Sequence, residues 1–322
     1  MTISAVVPVW NGRELLERLL DSLDKQTERA GEVLVLDNGS TDGAPEMARA
    51  RGARVIAMGR NAGFAAAVNR GIREAAGEWI AVLNSDVELA PDYFALLGRS
   101  EGWFATGKIL SASEPDRIDG TFDVVCRGGV AWRVGNRCAD GPAYSVGRKI
   151  FSAPWTAALF RAALFERVGY LEERFESYYE DVDFGLRCTR LGLEGHYVPE
   201  AVAWHQGSAT LGRWHADTVR RIARNQVWLV MRNYPGPLRR RWSWPIIVAQ
   251  VLWGAVAMRH GAGWAWIRGK REGWRERAAA GATPNWNEKL LAAVCRDNER
   301  IMRNAPGLFW RMYFLLTGGG AE

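Results

Sequence analysis

Four short apolar runs ahead of Pro91 each end in a cluster of polar or turn-forming residues, and helical patterns separate them. Ile3 to Val9 is β-branched and stops at Pro8-Val9-Trp10-Asn11-Gly12; Glu32 to Leu36 stops at Asp37-Asn38-Gly39-Ser40-Thr41-Asp42-Gly43. Arg54 to Met58 is followed by Asn61-Ala62-Gly63-Phe64, and Glu78 to Leu83 feeds Asn84, Ser85 and Asp86. In between, Leu15, Leu16, Leu19, Leu20 and Leu23 recur at helical spacing, and further helices are expected over Pro45 to Arg51 and Ala65 to Ala75. Strands alternating with helices imply right-handed crossovers and an α/β fold with a mostly parallel sheet and flanking helices. Every polar cluster then falls at the carboxyl edge of that sheet, where open α/β sheets bind ligands.

Beyond Glu101 the pattern changes. Thr121 to Val125 and Gly129 to Val134 read as short antiparallel strands or loops. Ser152 to Phe160 reads as a small-residue strand, Arg161 to Val168 as a helix, and Leu171 to Asp183 as an acidic loop before a second helix. A last strand, Gly195 to Val198, lies within Glu194 to Trp204, just before His205. After about Gly212 the sequence becomes helical and rich in Arg and Trp. The expected division is residues 1–211, with halves at about 1–100 and 101–211, and a helical C-terminal region over 212–322. Four cysteines with no CxxC pair read as reduced thiols of a cytoplasmic protein. No apolar leader precedes the first strand, so export is not expected.

At the end of the fourth strand, Asn84 and Asp86 interrupt an apolar run. The plainer reading is a turn capped by Asp86; the functional one is a carboxylate that holds a divalent cation. Asp37 closes the second strand, and its carboxylate suits the imide N–H of a pyrimidine base, unless it only stabilises the turn with Asp42. Asn61 to Gly71 is a small-residue turn into a helix, which permits close backbone approach to an anion or tight helix packing. No dinucleotide fingerprint and no Walker A lysine pattern is present. Glu180-Asp181-Val182-Asp183 sets three carboxylates at the start of a helix. Asp183 can pair with Arg187 one turn on, which leaves Glu180 or Asp181 as a general base. His205 follows a strand and is either structural or the imidazole of a mixed Asp/His/phosphate metal shell.

Taken in order, Val6 to Gly12, Val35 to Gly43, Asn61 to Gly71, Leu83 to Asp86 and Glu180 to Asp183 resemble the family 2 glycosyltransferases over roughly residues 1–210, closest in look to bacterial rhamnosyltransferase-like members that build cell-surface polysaccharide. The resemblance implies a GT-A (Rossmann-like) fold and an inverting single displacement from a UDP- or dTDP-linked sugar. On the matching positions it implies that Asp37 recognises the base with Pro8 and Asn11 nearby, and that Asn61, Gly63 and Asn69 shape the nucleotide pocket. Asn84, Ser85 and Asp86 would face the nucleotide-sugar, with Asp86 holding Mg²⁺ or Mn²⁺ and His205 contacting the metal or a phosphate. Asp181 would be the base and Glu180 its neighbour or an acceptor contact. Asn84 stands where many members carry Asp, so one carboxylate ligand is expected there, not two.

From Gly207 to Gly281 basic residues exceed acidic ones by eleven, which leaves −5 for the remainder of a chain whose formal charge is +6. Such a surplus points to an anionic partner. The apolar stretch Pro245 to Met258 is shorter than the roughly 20 residues of a spanning helix. The tryptophans that alternate with arginines from Trp228 to Trp274 suit a membrane surface on the cytoplasmic side, with a packed helical extension or a homodimer interface as the other reading. Nucleic acid is not expected, because no nucleic-acid-binding signature accompanies the charge. A lipid-linked glycan acceptor would explain both the arginines and an interface. Two other functions compete. A nucleotidyltransferase wants a Gly-rich N-terminal loop that Pro8 to Gly12 lacks; the other is an inactive glycan- or membrane-binding scaffold.

Overall fold

Ile3–Val9 (β1) is buried along its whole length, as its unbroken apolar run requires of a central strand. Around it the chain alternates: Arg13–Asp24 (α1), Glu32–Asp37 (β2), Ala44–Ala50 (α2), Arg54–Ala57 (β3), Phe64–Glu74 (α3) and Trp79–Leu83 (β4). Leu16, Leu19, Leu20 and Leu23 form the buried face of α1. At Gly71 of α3 a methyl group would come within 2.4 Å of Val6 and 2.8 Å of Leu36, so this glycine serves close helix–sheet packing. Within two residues, every element of this half has the expected bounds.

The computed structural model describes residues 1–207, 214–278, 281 and 287–318. The second half of the sheet is mixed. Val87–Leu89 (β5) and Tyr93–Leu97 (α4) lead to Phe104–Ser111 (β6) and Ile118–Gly120 (β7). The hairpin Asp123–Val125 (β8) and Ala131–Arg133 (β9) pairs only with itself. Arg148–Ile150 (β10), Ala157–Arg161 (β11), Ala163–Val168 (α5), Glu180–Arg190 (α6) and Gly195–His205 (β12) follow. The strand order is β10-β12-β6-β11-β4-β1-β2-β3, with β5 on β12 and β7 on β6. Strands β3, β2, β1 and β4 are parallel, and β11 enters antiparallel between β4 and β6.

Two expected strands differ. The run from Ser152 becomes regular only at Ala157, since residues 152–156 leave the sheet as a connecting segment. Strand β12 continues past Val198 to His205 because a register shift between Val198 and Val202 absorbs Pro199 and Glu200. Proline is tolerated at such a bulge, where no ladder bond is lost.

The described residues divide into two compact units, 1–122 with 135–207 and 123–134 with the described part of 208–322. In the second, the β8–β9 hairpin joins Ala216–Asn233 (α7), Gly236–Arg241 (α8), Ser243–Arg259 (α9), Gly263–Arg275 (α10), Glu288–Met302 (α11) and Leu308–Thr317 (α12). Fully buried Glu299 takes Arg127 Nε at 3.0 Å and the Tyr313 hydroxyl at 2.8 Å, which sews the hairpin to α11 and α12. No local sequence pattern encodes that join, because Arg127 and Glu299 lie 172 positions apart.

Candidate active site

The chain leaves β3 at one edge of the parallel half and returns on the other side of β1 as β4. This reversal of winding is the place where open α/β sheets form a crevice. Pairing of β1 with β4 ends at Val6–Val82, whereas pairing with β2 runs on to Val9–Asp37. Pro8 therefore lies beyond the β4 ladder, where its missing N–H costs nothing.

On one flank of the crevice the loops are tied by their own side chains. Asn11, at φ 60°, accepts from Thr41 N at 2.9 Å through Oδ1, and its N–H donates to Ser40 Oγ at 2.8 Å. Asp37 is buried, and its Oδ1 accepts from Ser40 N at 2.8 Å. One of its oxygens therefore serves the turn, as the plainer reading required. Asp42 is held below the usual carboxylate range: the modest burial that would raise it is outweighed by hydrogen bonds from backbone N–H groups, led by Arg13 and Ala44. Asn38 Oδ1 accepts from Ala62 N at 3.2 Å, which joins the β2 and β3 loops.

Two expected pocket residues have partners within the protein. Asn61 spends its Oδ1 on Gly63 N at 3.1 Å. Asn69 is buried within α3 and does not reach the edge. Its amide donates to Leu171 O and Glu173 Oε1 and accepts from Leu171 N, at 2.9, 3.0 and 2.9 Å. It positions the 171–173 segment. Gly63, at φ 87°, sits so close to Glu176 that a Cβ would approach its carbonyl oxygen to 3.2 Å.

Glu176, Tyr178 and Tyr179 all have positive φ, at 61°, 73° and 74°. Three side-chain-bearing residues in that region within four positions store backbone strain, which collects at functional sites. They deliver the chain into α6, whose first residues are Glu180 and Asp181. Glu180 is buried and Asp181 is half-buried, with Oδ1 accepting from Val182 N at 2.8 Å. Asp183 is fully buried and pairs with Arg187 Nε at 2.9 Å, the i,i+4 pair expected from the spacing. Arg187 also donates to Val168 O and Tyr170 O, both at 2.8 Å. Phe184 anchors the same helix edge-on to Trp155, with ring centroids 5.0 Å apart.

The connecting segment 152–156 links this helix to the turn that follows β4. Ser152 Oγ donates to Asp181 O at 3.2 Å, and Asn84 N donates to Thr156 O at 2.9 Å. Four residues of chain span at most about 14 Å, so both share one edge. Asn84, Ser85 and Asp86 form the turn between β4 and β5, and β5 pairs antiparallel with β12 so that Val87 faces His205. That register places His205 Nε2 3.1 Å from Asp86 Oδ1 and 3.5 Å from Asn84 Nδ2. Asp119 on β7, a residue that carries no signal in the sequence, lies 2.9 Å from His205 Nδ1. Burial by itself drives the imidazolium to lose its proton, but Asp119 and Asp86 outweigh that and raise its pKa to about 9.

Asp86 and His205 Nε2 can converge on one divalent ion, whereas Asp119, on the far side of the ring, can only orient the ligand. Among the described residues no group of three His, Cys, Asp or Glu side chains forms a protein-only metal cage. Asp86 and His205 offer two protein donors, so a hard cation held there would need phosphate or water for the rest of its shell. A separate depression of about 630 Å³, lined by Arg99, Lys149 and His196, lies at the start of β12. Its lining ends at Glu200, roughly 17 Å of strand from His205, and it is not this site.

The mixed sheet, with its polar loops at one edge and flanking helices, has the GT-A fold of solved glycosyltransferases. Known structures agree. GalNAc-T7 with UDP, GalNAc and Mn²⁺ superposes with a TM-score of 0.63 at 14% identity, covering 87% of this chain and 57% of that one. The mannosyltransferase PcManGT of Pyrobaculum calidifontis, in complex with GDP-Man and Mn²⁺, gives 0.52 at 19% identity over 98% and 84%. Residues 4–98 match the family model Glycosyl transferase family 2. An N-acetylglucosaminyl-diphospho-decaprenol L-rhamnosyltransferase of Mycobacterium tuberculosis is 33% identical over 226 residues, 62% of this chain and 74% of the relative. The chain belongs to family 2 of the glycosyltransferases.

Proposed function

We propose that the protein transfers a sugar, rhamnose or a related hexose, with inversion from a UDP- or dTDP-linked donor to a hydroxyl of a lipid-linked glycan in bacterial cell-surface polysaccharide assembly. The observation that carries this reading is the crevice between β1 and β4, flanked by Asp37 on one side and by Asp86 with His205 on the other. Asp37 accepts from the imide N–H of the base through the oxygen that the Ser40 turn leaves over, beside Pro8 and Asn11. Gly63 lets the backbone approach the nucleotide. Asp86 and His205 hold Mg²⁺ or Mn²⁺, which when bound neutralises the charge that develops on the departing diphosphate. Asp119 fixes the orientation of His205. Asp181 takes the proton from the acceptor hydroxyl as its oxygen bonds to the anomeric carbon and the bond to diphosphate breaks. Glu180, buried beside it, shapes the acceptor side. Support comes from the relative, an N-acetylglucosaminyl-diphospho-decaprenol L-rhamnosyltransferase, and from the UDP, GalNAc, GDP-Man and Mn²⁺ bound in the solved structures.

The test is a panel of nucleotide-sugars with Mn²⁺, read by thermal shift and then by transfer to a lipid-diphosphate glycan. Binding of one donor should raise the unfolding temperature by mass action. Absence of stabilisation by any donor would return the protein to the class of inactive scaffolds.

A further inference from the structure

Helix α9 is apolar on nearly every side, yet only Pro245, Val248, Ala249, Gly254 and Ala257 are buried. Trp244, Ile247, Val251 and Met258 are more than half exposed. At 100° per residue those four positions fall within an arc of about 60°, so they form one stripe along the helix. Helix α12 lies alongside and exposes Leu315 (74%) and Leu316 (44%). The Trp244 indole N–H donates to Leu316 O at 2.9 Å, which ties the two helices together and leaves only the apolar part of the ring outward.

The charge around this face restricts what can cover it. From Asn233 to Arg271 there is no acidic residue and there are six arginines, the seventh basic residue, Lys270, being turned inward onto Ala223 O, Gln226 and Gln250. Exposed Arg240 precedes α9, exposed Arg259 ends it, and exposed Arg311 lies on α12. A second copy would bring like charges together, which is unfavourable. Among the described residues no helix is long and apolar enough to cross a bilayer. An apolar stripe with a tryptophan and a cationic rim matches the headgroup boundary of an anionic membrane, where such helices lie in the plane.

We propose that the α9–α12 face docks on the surface of an anionic phospholipid bilayer. The inference stands on exposure and charge and does not depend on the transfer reaction, though a lipid-linked acceptor would be met at the same surface. The test is flotation of the full chain with phosphatidylcholine vesicles with or without phosphatidylglycerol. The full chain should float with the anionic vesicles and bind the neutral ones about tenfold more weakly. Ile247→Glu with Val251→Glu and Leu315→Glu should weaken anionic binding by about tenfold or more. Arg240→Glu with Arg311→Glu should weaken it chiefly at low salt. Unchanged transfer to a water-soluble acceptor by both variants separates this surface from the reaction. Equal vesicle binding by the triple-Glu variant would overturn the proposal. So would a wild-type dimer that shows no lipid binding and that the same variant turns into monomers, since a second copy would then own the face.

Discussion

The parallel half of the sheet, β3-β2-β1-β4, and the mixed half beyond β4 reach the same edge by different means. In the parallel half each polar group sits on the loop that directly follows its strand, and neighbouring loops are tied by local bonds such as Asp37 to Ser40 and Asn38 to Ala62. In the mixed half, the residues that meet come from distant parts of the chain. His205 on β12 and Asp119 on β7 are brought by strand register to Asp86, on the turn after β4, and Asp181 is set by a strained turn and an aromatic anchor. The lesson is a division of labour in the proposed reaction: local loops grip the donor, and long-range packing aims the groups that turn it over.

The strongest way to break that division is Asp181→Asn. It should lower the transfer rate by about a thousandfold while donor affinity stays within about twofold. Single-turnover transfer beside a donor titration reads both, and wild-type transfer would remove the base from Asp181. Next is Asp183→Ala, which leaves the Arg187 guanidinium buried without its carboxylate and should cost about 3 kcal/mol of stability in urea unfolding. A loss under about 1 kcal/mol would mean that the two carbonyls on Arg187 suffice to hold it.

Smaller effects sharpen the comparison. Asp119→Asn should weaken Mn²⁺ binding in the presence of nucleoside diphosphate about tenfold, by analogy with other orienting carboxylates, and calorimetry would show it. Asp37→Ala should weaken donor binding about tenfold with little change in the maximal rate. The reverse pattern for these two would erase the division between the halves. The smallest effect concerns pH. Asp42 is depressed in the folded state, so its contribution is present above its unfolded pKa near 3.8 and is lost as pH falls toward the folded value. Asp42→Asn should therefore flatten the stability loss between about pH 5 and pH 2. An unchanged acid slope in urea unfolding would remove Asp42 from that account.

Periodicity in the sequence determined the first half of the fold by itself: β1 to β4 and α1 to α3 lie within two residues of where apolar spacing and turn residues put them. The edge that carries the polar loops followed from that alternation, because in a parallel sheet every strand-end loop lands on the same side. The Asp183–Arg187 pair was also legible, since i,i+4 neighbours meet on any helix. Tertiary structure alone decided the rest. Asn69 shares its motif with loop residues yet turns inward to Leu171, about a hundred positions away. Strand β12 passes through Pro199 by a bulge that only its pairing with β6 reveals. Asp119 finds His205 because two strands far apart in sequence flank the same neighbour, β6. Local spacing encodes what the backbone does over a turn or a strand; which distant side chains meet depends on register and packing, and those exist only once the chain has closed on itself.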